Sequence, residues 1–216
     1  SSPFWEGENT GLKSYRLTVF DALPRTGLPE HFSSFGEYQR HIDVLVSAGL
    51  IEDATMIWWD LRPSARYPTL ETRIFDMCTD IDDAVCLAAL TMCILRRLYR
   101  LRLDNQRWRR YNRMLVNENR WRAMRYGSDE GLLDLAKGEI VEFRQLLQEI
   151  LEQIDEDARF LGCEAEVAHA RTILERGTSA HQQVKVYEAA IAEGKSNEAA
   201  LRDVVAFLIA GTRRGT

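Results

Sequence analysis

The feature that most constrains this chain is the run Ile140, Phe143, Leu147, Ile150, Ile154, Ala158 and Leu161. Side chains three and four residues apart share one face of an α-helix, so the run predicts a long amphipathic helix from Glu139 onward that packs by a single stripe. Such a helix must find other elements to cover it. Three shorter helices are predicted after it. They run from Glu164 to Glu175, from the Ser179/Gln182 capping box to Ala192, and from Ser196 to Ala210, where Leu201, Val204, Val205, Leu208 and Ile209 form the stripe. Gly177, Gly194 and Gly211 punctuate them. The three share no fixed-period similarity, which excludes a solenoid and leaves a plain helical layer.

The chain upstream reads differently. Three of its five prolines (Pro3, Pro24, Pro29) fall in the first thirty residues beside Phe4, Trp5, Tyr15 and Phe20, which predicts an irregular segment with aromatic anchors. Thirty residues of loop with nothing before them to pack against suggest a piece of a longer protein. Ser34-Phe-Gly-Glu37 has capping-box form and opens a predicted helix from about Phe35 to Ala48, stopped by Gly49. Met56 to Arg62 and Thr69 to Phe75 are strand-like runs rich in Ile, Trp and Thr, separated by Pro-Ser-Ala-Arg-Tyr-Pro, and are predicted to form an antiparallel hairpin. Thr79-Asp-Ile-Asp82 opens another helix, apolar on all sides from Ala84 to Leu95 and expected to be buried there, then basic. The fold class expected is α+β, a sheet hairpin backed by a mostly helical C-terminal part.

With 45% hydrophobic and 28% charged residues, disorder and collagen-like folds are excluded. The Ala84–Leu95 run is too short to cross a bilayer and no basic-then-apolar leader opens the chain, so a soluble protein with no membrane partner is expected. Cys78, Cys86, Cys93 and Cys163 show no C-x-x-C spacing, which fits a reducing cytoplasm, and Cys86 and Cys93 read as inert core thiols. His31, His41, His169 and His181 have no ligand spacing, so any metal should sit on carboxylates, and no role falls to His169 or His181.

The chemistry suggested by the hairpin comes from its alternation. Trp58, Asp60 and Arg62 share one face of the first strand, and Thr69, Glu71 and Arg73 share one face of the second. Turning the apolar faces to one core gathers Asp60, Arg62, Glu71 and Arg73 on the other face. The plain reading is a solvated face with cross-strand ion pairs. The sharper one is phosphoryl chemistry, with carboxylates for Mg²⁺ and arginines for spread negative charge. Spacing alone leaves both open.

At these residues a resemblance enters. Trp59-Asp-Leu-Arg-Pro-Ser64, then Thr69-Leu-Glu-Thr-Arg73 and Asp76, then Asn119-Arg-Trp-Arg-Ala-Met-Arg-Tyr-Gly127, resemble the YbdK-type carboxylate–amine ligases of the glutamate–cysteine ligase type 2 family. Ser2-Pro-Phe-Trp-Glu-Gly7 and Ser14-Tyr-Arg16 also fit, so the similarity runs in order over essentially the whole chain. The resemblance implies a glutamine-synthetase-like catalytic sheet holding ATP, Mg²⁺ and amino acid on its concave face. It also implies activation of the γ-carboxylate of glutamate as an acyl phosphate, which an amine, with cysteine expected, converts to an amide. By position in the motif, Glu71 would be the metal ligand and Arg73 would steady the phosphoryl group or the substrate carboxylate. Asp60 and Arg62 would support that pair, Arg16 would bind the substrate carboxylate, and Asn119, Arg120, Arg122 and Arg125 would contact the nucleotide.

The G-x-E-x-E-type, second acidic and H-V-H-type strands of the family's N-terminal half do not appear here. The chain is therefore expected to be the C-terminal part of one ligase domain and inactive alone. It divides into an active-site loop segment (1–33), a helix and sheet hairpin (34–82) and a helical layer (83–216). An exposed sheet edge left by the missing half makes a homo-oligomer or partner chain an expectation. Residues 96–125 carry eleven arginines against two acids. That zone reads as an exposed helical face, as nucleotide or substrate contacts, or as a polyanion surface, with nucleic acid disfavoured by the net charge of −5. The alternative from another class is a non-catalytic protein-interaction module that retains the ligase fold.

Overall fold

A computed structural model describes residues 2–213. It shows a mixed α+β chain with eight helices and eight short strands among the described residues. The chain divides into two compact units, Arg16–Asp76 and the combination of Ser1–Tyr15 with Met77–Thr216.

In the Arg16–Asp76 unit, helix α2 (Phe35–Ser47) begins where predicted, with the Ser34 hydroxyl accepting from the Glu37 amide at 3.1 Å. Its apolar stripe buries Tyr38 and Ile42 against Ile51, Ala54 and Ile57. The expected Met56–Arg62 strand is broken into three pieces. Asp53 caps a 3₁₀ turn over Ala54–Met56 by accepting from the Thr55 amide at 2.7 Å. The pair Trp58–Trp59 (β4) then lies parallel to Thr26–Gly27 (β3), and Leu61–Pro63 (β5) lies antiparallel to Leu70–Thr72 (β6). Asp60 is the changeover, its amide donating to Gly27 and its carbonyl accepting from Arg73 and Ile74. A backbone that changes partners within two residues cannot keep one greasy and one charged face. Asp60 and Arg62, expected on a solvated face, are both buried.

In the other unit, Phe4–Trp5 (β1) pairs antiparallel with Glu8–Asn9 (β2) around a tight turn at Gly7. With α1 (Tyr15–Asp21) and β3, these short elements replace the unbroken loop expected over 1–33. Helix α3 (Ile81–Leu103) is capped by Asp80 rather than Thr79. It buries Cys86, Ala89 and Cys93 against Leu151, Ile154 and Ala158 of α5 (Phe143–Leu161) and Val167 and Ala170 of α6 (Glu164–Arg176). The all-round burial expected for its first half is not found, since Ile81, Val85 and Met92 are exposed.

Helix α5 carries the predicted stripe but starts later. Glu139–Val141 (β8) instead pairs antiparallel with Leu132–Asp134 (β7), because the Asp134 carboxylate closes the turn by accepting from the amides of Ala136 and Lys137. Two helices complete the layer, α7 (Ser179–Ala192) and α8 (Asn197–Arg213). The capping box of α7 is Thr178 with His181, not Ser179 with Gln182. The small side chains of Ala190 and Ala200 are buried in these two helices, leaving no bulk to hold them apart.

Candidate active site

The β5–β6 hairpin places Arg62 directly opposite Glu71. Its register is set by the connecting loop, where the Ser64 amide donates to the Thr69 carbonyl at 2.9 Å and the Ser64 hydroxyl accepts from the amides of Arg66 and Tyr67. A slip of one residue would turn Arg62 to the opposite face.

Opposite each other, the two side chains meet. Arg62 Nη2 lies 2.7 Å from Glu71 Oε2, and Arg73 Nη2 lies 2.7 Å from Glu71 Oε1. The carboxylate is thus held between two guanidinium groups. Arg62 is anchored from behind by Nη1 donating to the Ala54 carbonyl at 2.8 Å. The Nε atoms of both Arg62 and Arg73 are buried without an acceptor among the described residues. Two buried cationic donors with unused hydrogen-bonding capacity favour an anion beside Glu71. Glu71 itself remains open to solvent, with a side chain 40% exposed.

Beside Arg62 lies a cleft of about 440 Å³ whose walls include Phe32, Tyr38, Trp59, Leu61 and Leu70. The Tyr38 hydroxyl is buried without a hydrogen-bond partner among the described residues, and burial pushes its pKa up. This aromatic cleft was not read from the sequence, although Phe32, Phe35 and Tyr38 at helical spacing carried the signal.

Arg16, expected at the substrate carboxylate, makes hydrogen bonds within the chain. Its Nε donates to Asp76 Oδ1 at 2.6 Å, and its Nη2 lies 3.0 to 3.1 Å from the carbonyls of Arg73, Ile74 and Phe75. It fixes the path of the chain after β6, behind Arg73.

The second predicted group lies in the other unit, on helix α4 (Arg113–Tyr126). The Asn119 side-chain amide pairs in both directions with Leu133, accepting from its amide at 2.7 Å and donating to its carbonyl at 2.8 Å. Arg122 Nε donates to the Gly131 carbonyl and Arg125 Nη1 to the Gly11 carbonyl. These three side chains pin the β7–β8 hairpin and the loop before α1 to the helix. Arg120 also has an interaction partner.

A match to the family described as glutamate–cysteine ligase family 2 extends over residues 1–206. The chain belongs to that family. A protein of Rhodospirillum rubrum provisionally named glutamate–cysteine ligase 2 is 65% identical over 212 residues, covering 98% of this chain and 54% of its own length. Proteins with the same provisional name from Jannaschia sp. and Paracoccus denitrificans are 53% and 48% identical, each over at least 97% of this chain. The chain spans about half the length of these curated relatives.

Within this glutamate–cysteine ligase family 2 chain, the site residues read from the hairpin therefore converge in part. Arg62, Glu71 and Arg73 form one cluster, Asp60 is buried beside it at the strand changeover, and Arg16 supports the chain leaving it. Among the described residues no three His, Cys, Asp or Glu side chains come together to hold a metal ion. The other candidates behave as structure. Burial pushes the thiols of Cys86 and Cys93 up to about 11 and about 12, so both stay protonated at neutral pH. His169 Nε2 lies 2.9 Å from Asp83, a contact the spacing did not reveal, but Arg176 grips both oxygens of the same carboxylate at 2.6 Å. No helix among the described residues is long and apolar enough to cross a membrane.

Proposed function

We propose that this chain forms part of an ATP- and Mg²⁺-dependent ligase that joins the γ-carboxylate of glutamate to an amine, with cysteine as the acceptor, through an acyl phosphate. The observation that carries the reading is the Arg62–Glu71–Arg73 cluster with its two unmatched buried Nε–H donors. Phosphoryl transfer spreads negative charge over several oxygens, and guanidinium donors fixed beforehand lower its cost without reorganising. In this reading Arg73 steadies the phosphoryl group or the substrate carboxylate, while Arg62, locked to Ala54, holds one side of the cluster rigid. Buried Asp60 fixes the strand changeover beneath them.

Glu71 is a hard oxygen donor of the kind Mg²⁺ takes. It would be one ligand, with the rest of the set coming from outside this chain, because no group of three acidic side chains gathers among the described residues. Bound Mg²⁺ would neutralise phosphate charge. The same incompleteness supports inactivity of the isolated chain and a wider glutamine-synthetase-like sheet to which β5 and β6 contribute. Nucleotide contact in the α4 stretch is assigned to Asn119, Arg120, Arg122 and Arg125, of which Asn119, Arg122 and Arg125 also hold backbone carbonyls. Four free thiols suit a cytoplasmic setting.

The test is ADP release from Mg-ATP with glutamate and a panel of amines, run on the intact natural polypeptide. Glu71→Gln keeps the volume but removes the charge, and should lower turnover by about 10²-fold or more in a protein that still folds cooperatively. Full activity in Glu71→Gln would remove Glu71 from the mechanism. No ADP release with any amine in the unmutated polypeptide would favour the non-catalytic interaction module.

A further inference from the structure

Two of the four cysteines meet sulfur to sulfur. Cys93 is wholly buried in the α3 stripe that packs on α5 and α6, and its Sγ lies 3.6 Å from Sγ of Cys163, 70 residues further along the chain. Cys163 is the N-cap residue of α6, where the chain turns out of α5 through left-handed Gly162. Its backbone is tied on both sides, the amide donating to the Ala158 carbonyl at 3.1 Å and the carbonyl accepting from the Val167 amide at 3.0 Å. Ala158 and Val167 belong to the same buried cluster as Cys93. The contact is thus set by the interior packing of three helices, whatever covers their outer faces.

A disulfide places its sulfurs about 2.05 Å apart, so closing the pair asks each sulfur to move by about 0.8 Å, which modest side-chain rotation supplies. The two thiols are not equivalent. Burial, and then the Cys163 thiol beside it, pushes the pKa of Cys93 up to about 12. Cys93 therefore offers an oxidant neither solvent contact nor a thiolate, and Cys163 is the sulfur that reacts first. We infer that Cys93 and Cys163 are a redox pair, which peroxide converts to a reversible disulfide that locks α3 to the α5–α6 junction. Hydrogen peroxide transfers one oxygen to the Cys163 sulfur, giving a sulfenic acid and one water. Cys93 Sγ then attacks that sulfur, and its thiol proton leaves with the displaced hydroxide as a second water, so the two thiols together lose two electrons to one peroxide. A dithiol reductant restores both thiols by exchange. The bond closes a loop that contains α4, the β7–β8 hairpin and α5, which restricts the unfolded chain and so stabilises the folded one. The pair lies in the unit that does not contain the Arg62–Glu71–Arg73 cluster, and its chemistry is independent of ligation.

The test is stoichiometric hydrogen peroxide on the intact natural polypeptide, folded and unfolded in urea, followed by alkylation of the remaining thiols and peptide mass spectrometry. In the folded protein a linked Cys93–Cys163 peptide is expected at about 10-fold or more over any other pairing of either cysteine, and it should disappear with dithiothreitol. In urea the pairing should be mixed. The thermal midpoint should rise by about 5 °C on oxidation and return on reduction, with no rise in Cys163→Ser. Cys93→Ala should leave Cys163 as a sulfenic acid that dimedone traps. Both thiols remaining reduced in the folded protein would overturn the inference. So would Cys163 oxidised beyond the sulfenic acid without the link, or a pairing no more selective than in urea. A link that left the midpoint unchanged or lowered it would overturn the lock.

Discussion

Asp157 carries the tie between α3 and α5, and removing it should be among the most damaging single changes in the helical layer. The side chain is wholly buried. Arg96 Nη1 donates to Oδ1 at 2.5 Å, and Arg100 grips both oxygens at 2.9 Å, while Arg96 also lies over the Phe160 ring at 3.6 Å. Asp157→Ala deletes the acceptor of three charge-assisted bonds and leaves two guanidinium groups facing it. Breaking a fully buried pair this way costs about 3–5 kcal/mol, but water reaches both arginines and screens them, which brings the expectation to about 2–3 kcal/mol. Asp157→Asn, which keeps the volume and one acceptor, should cost about 1–2 kcal/mol. The assay is urea unfolding followed by far-ultraviolet circular dichroism, read as a midpoint shift at constant slope. The Arg100 hydrogen bond holds the Asp157 carboxyl below its usual range. A lowered carboxyl contributes stability that is complete above the ordinary value near 3.9 and is lost as pH falls through the native one. The Asp157→Ala deficit should therefore shrink on acidification below about pH 4. A deficit under about 0.5 kcal/mol at pH 7 would refute the reasoning, since desolvation would then cancel the pairing.

Two further outcomes follow from the structure. Asn119→Ala removes both bonds to Leu133 and should cost about 1–3 kcal/mol, with amide exchange accelerated first at Leu133. His181 completes the α7 cap through Nδ1, which accepts from the Thr178 amide at 3.1 Å. Burial, aided by Lys13, pulls its pKa below the ordinary value. Its stability contribution is therefore present above about pH 6.5 and lost as pH falls below it, so His181→Gln should flatten the thermal midpoint between about pH 7 and 5.

The helices were legible because a 3.6-residue stripe and a capping residue are local properties. The stripe from Phe143 to Leu161, the Ser34 cap and the stops at Gly49, Gly177 and Gly194 sit where the sequence implies, whereas Gly211 lies inside α8, which runs on to Arg213. The failures come from non-local choices. Ile140 fits the helical period, yet it pairs with Leu133 in a hairpin that only tertiary contact can reward. The Trp58–Arg62 alternation looked like one strand because nothing local announces that Asp60 changes partners from β3 to β6. Even so, the Arg62–Glu71–Arg73 grouping was visible, since cross-strand neighbours depend only on the loop length that the Pro63–Pro68 punctuation fixed. The ligand roles of Arg16, Asn119, Arg122 and Arg125 rest on matching motifs. A motif identifies a residue type worth keeping but does not distinguish a side chain that touches a ligand from one that holds a carbonyl.

The Arg16–Asp76 contact has a consequence for how this protein can be rearranged. These two residues are the first and last of a compact unit, and their side chains meet at 2.6 Å. The unit therefore begins and ends at one point and joins the rest of the chain through two adjacent strands of backbone. That is the connectivity of an inserted module, which can grow, shrink or be circularly permuted with little effect on its host. The Arg62–Glu71–Arg73 hairpin sits within the insert, so it can diverge while the helical layer stays as it is.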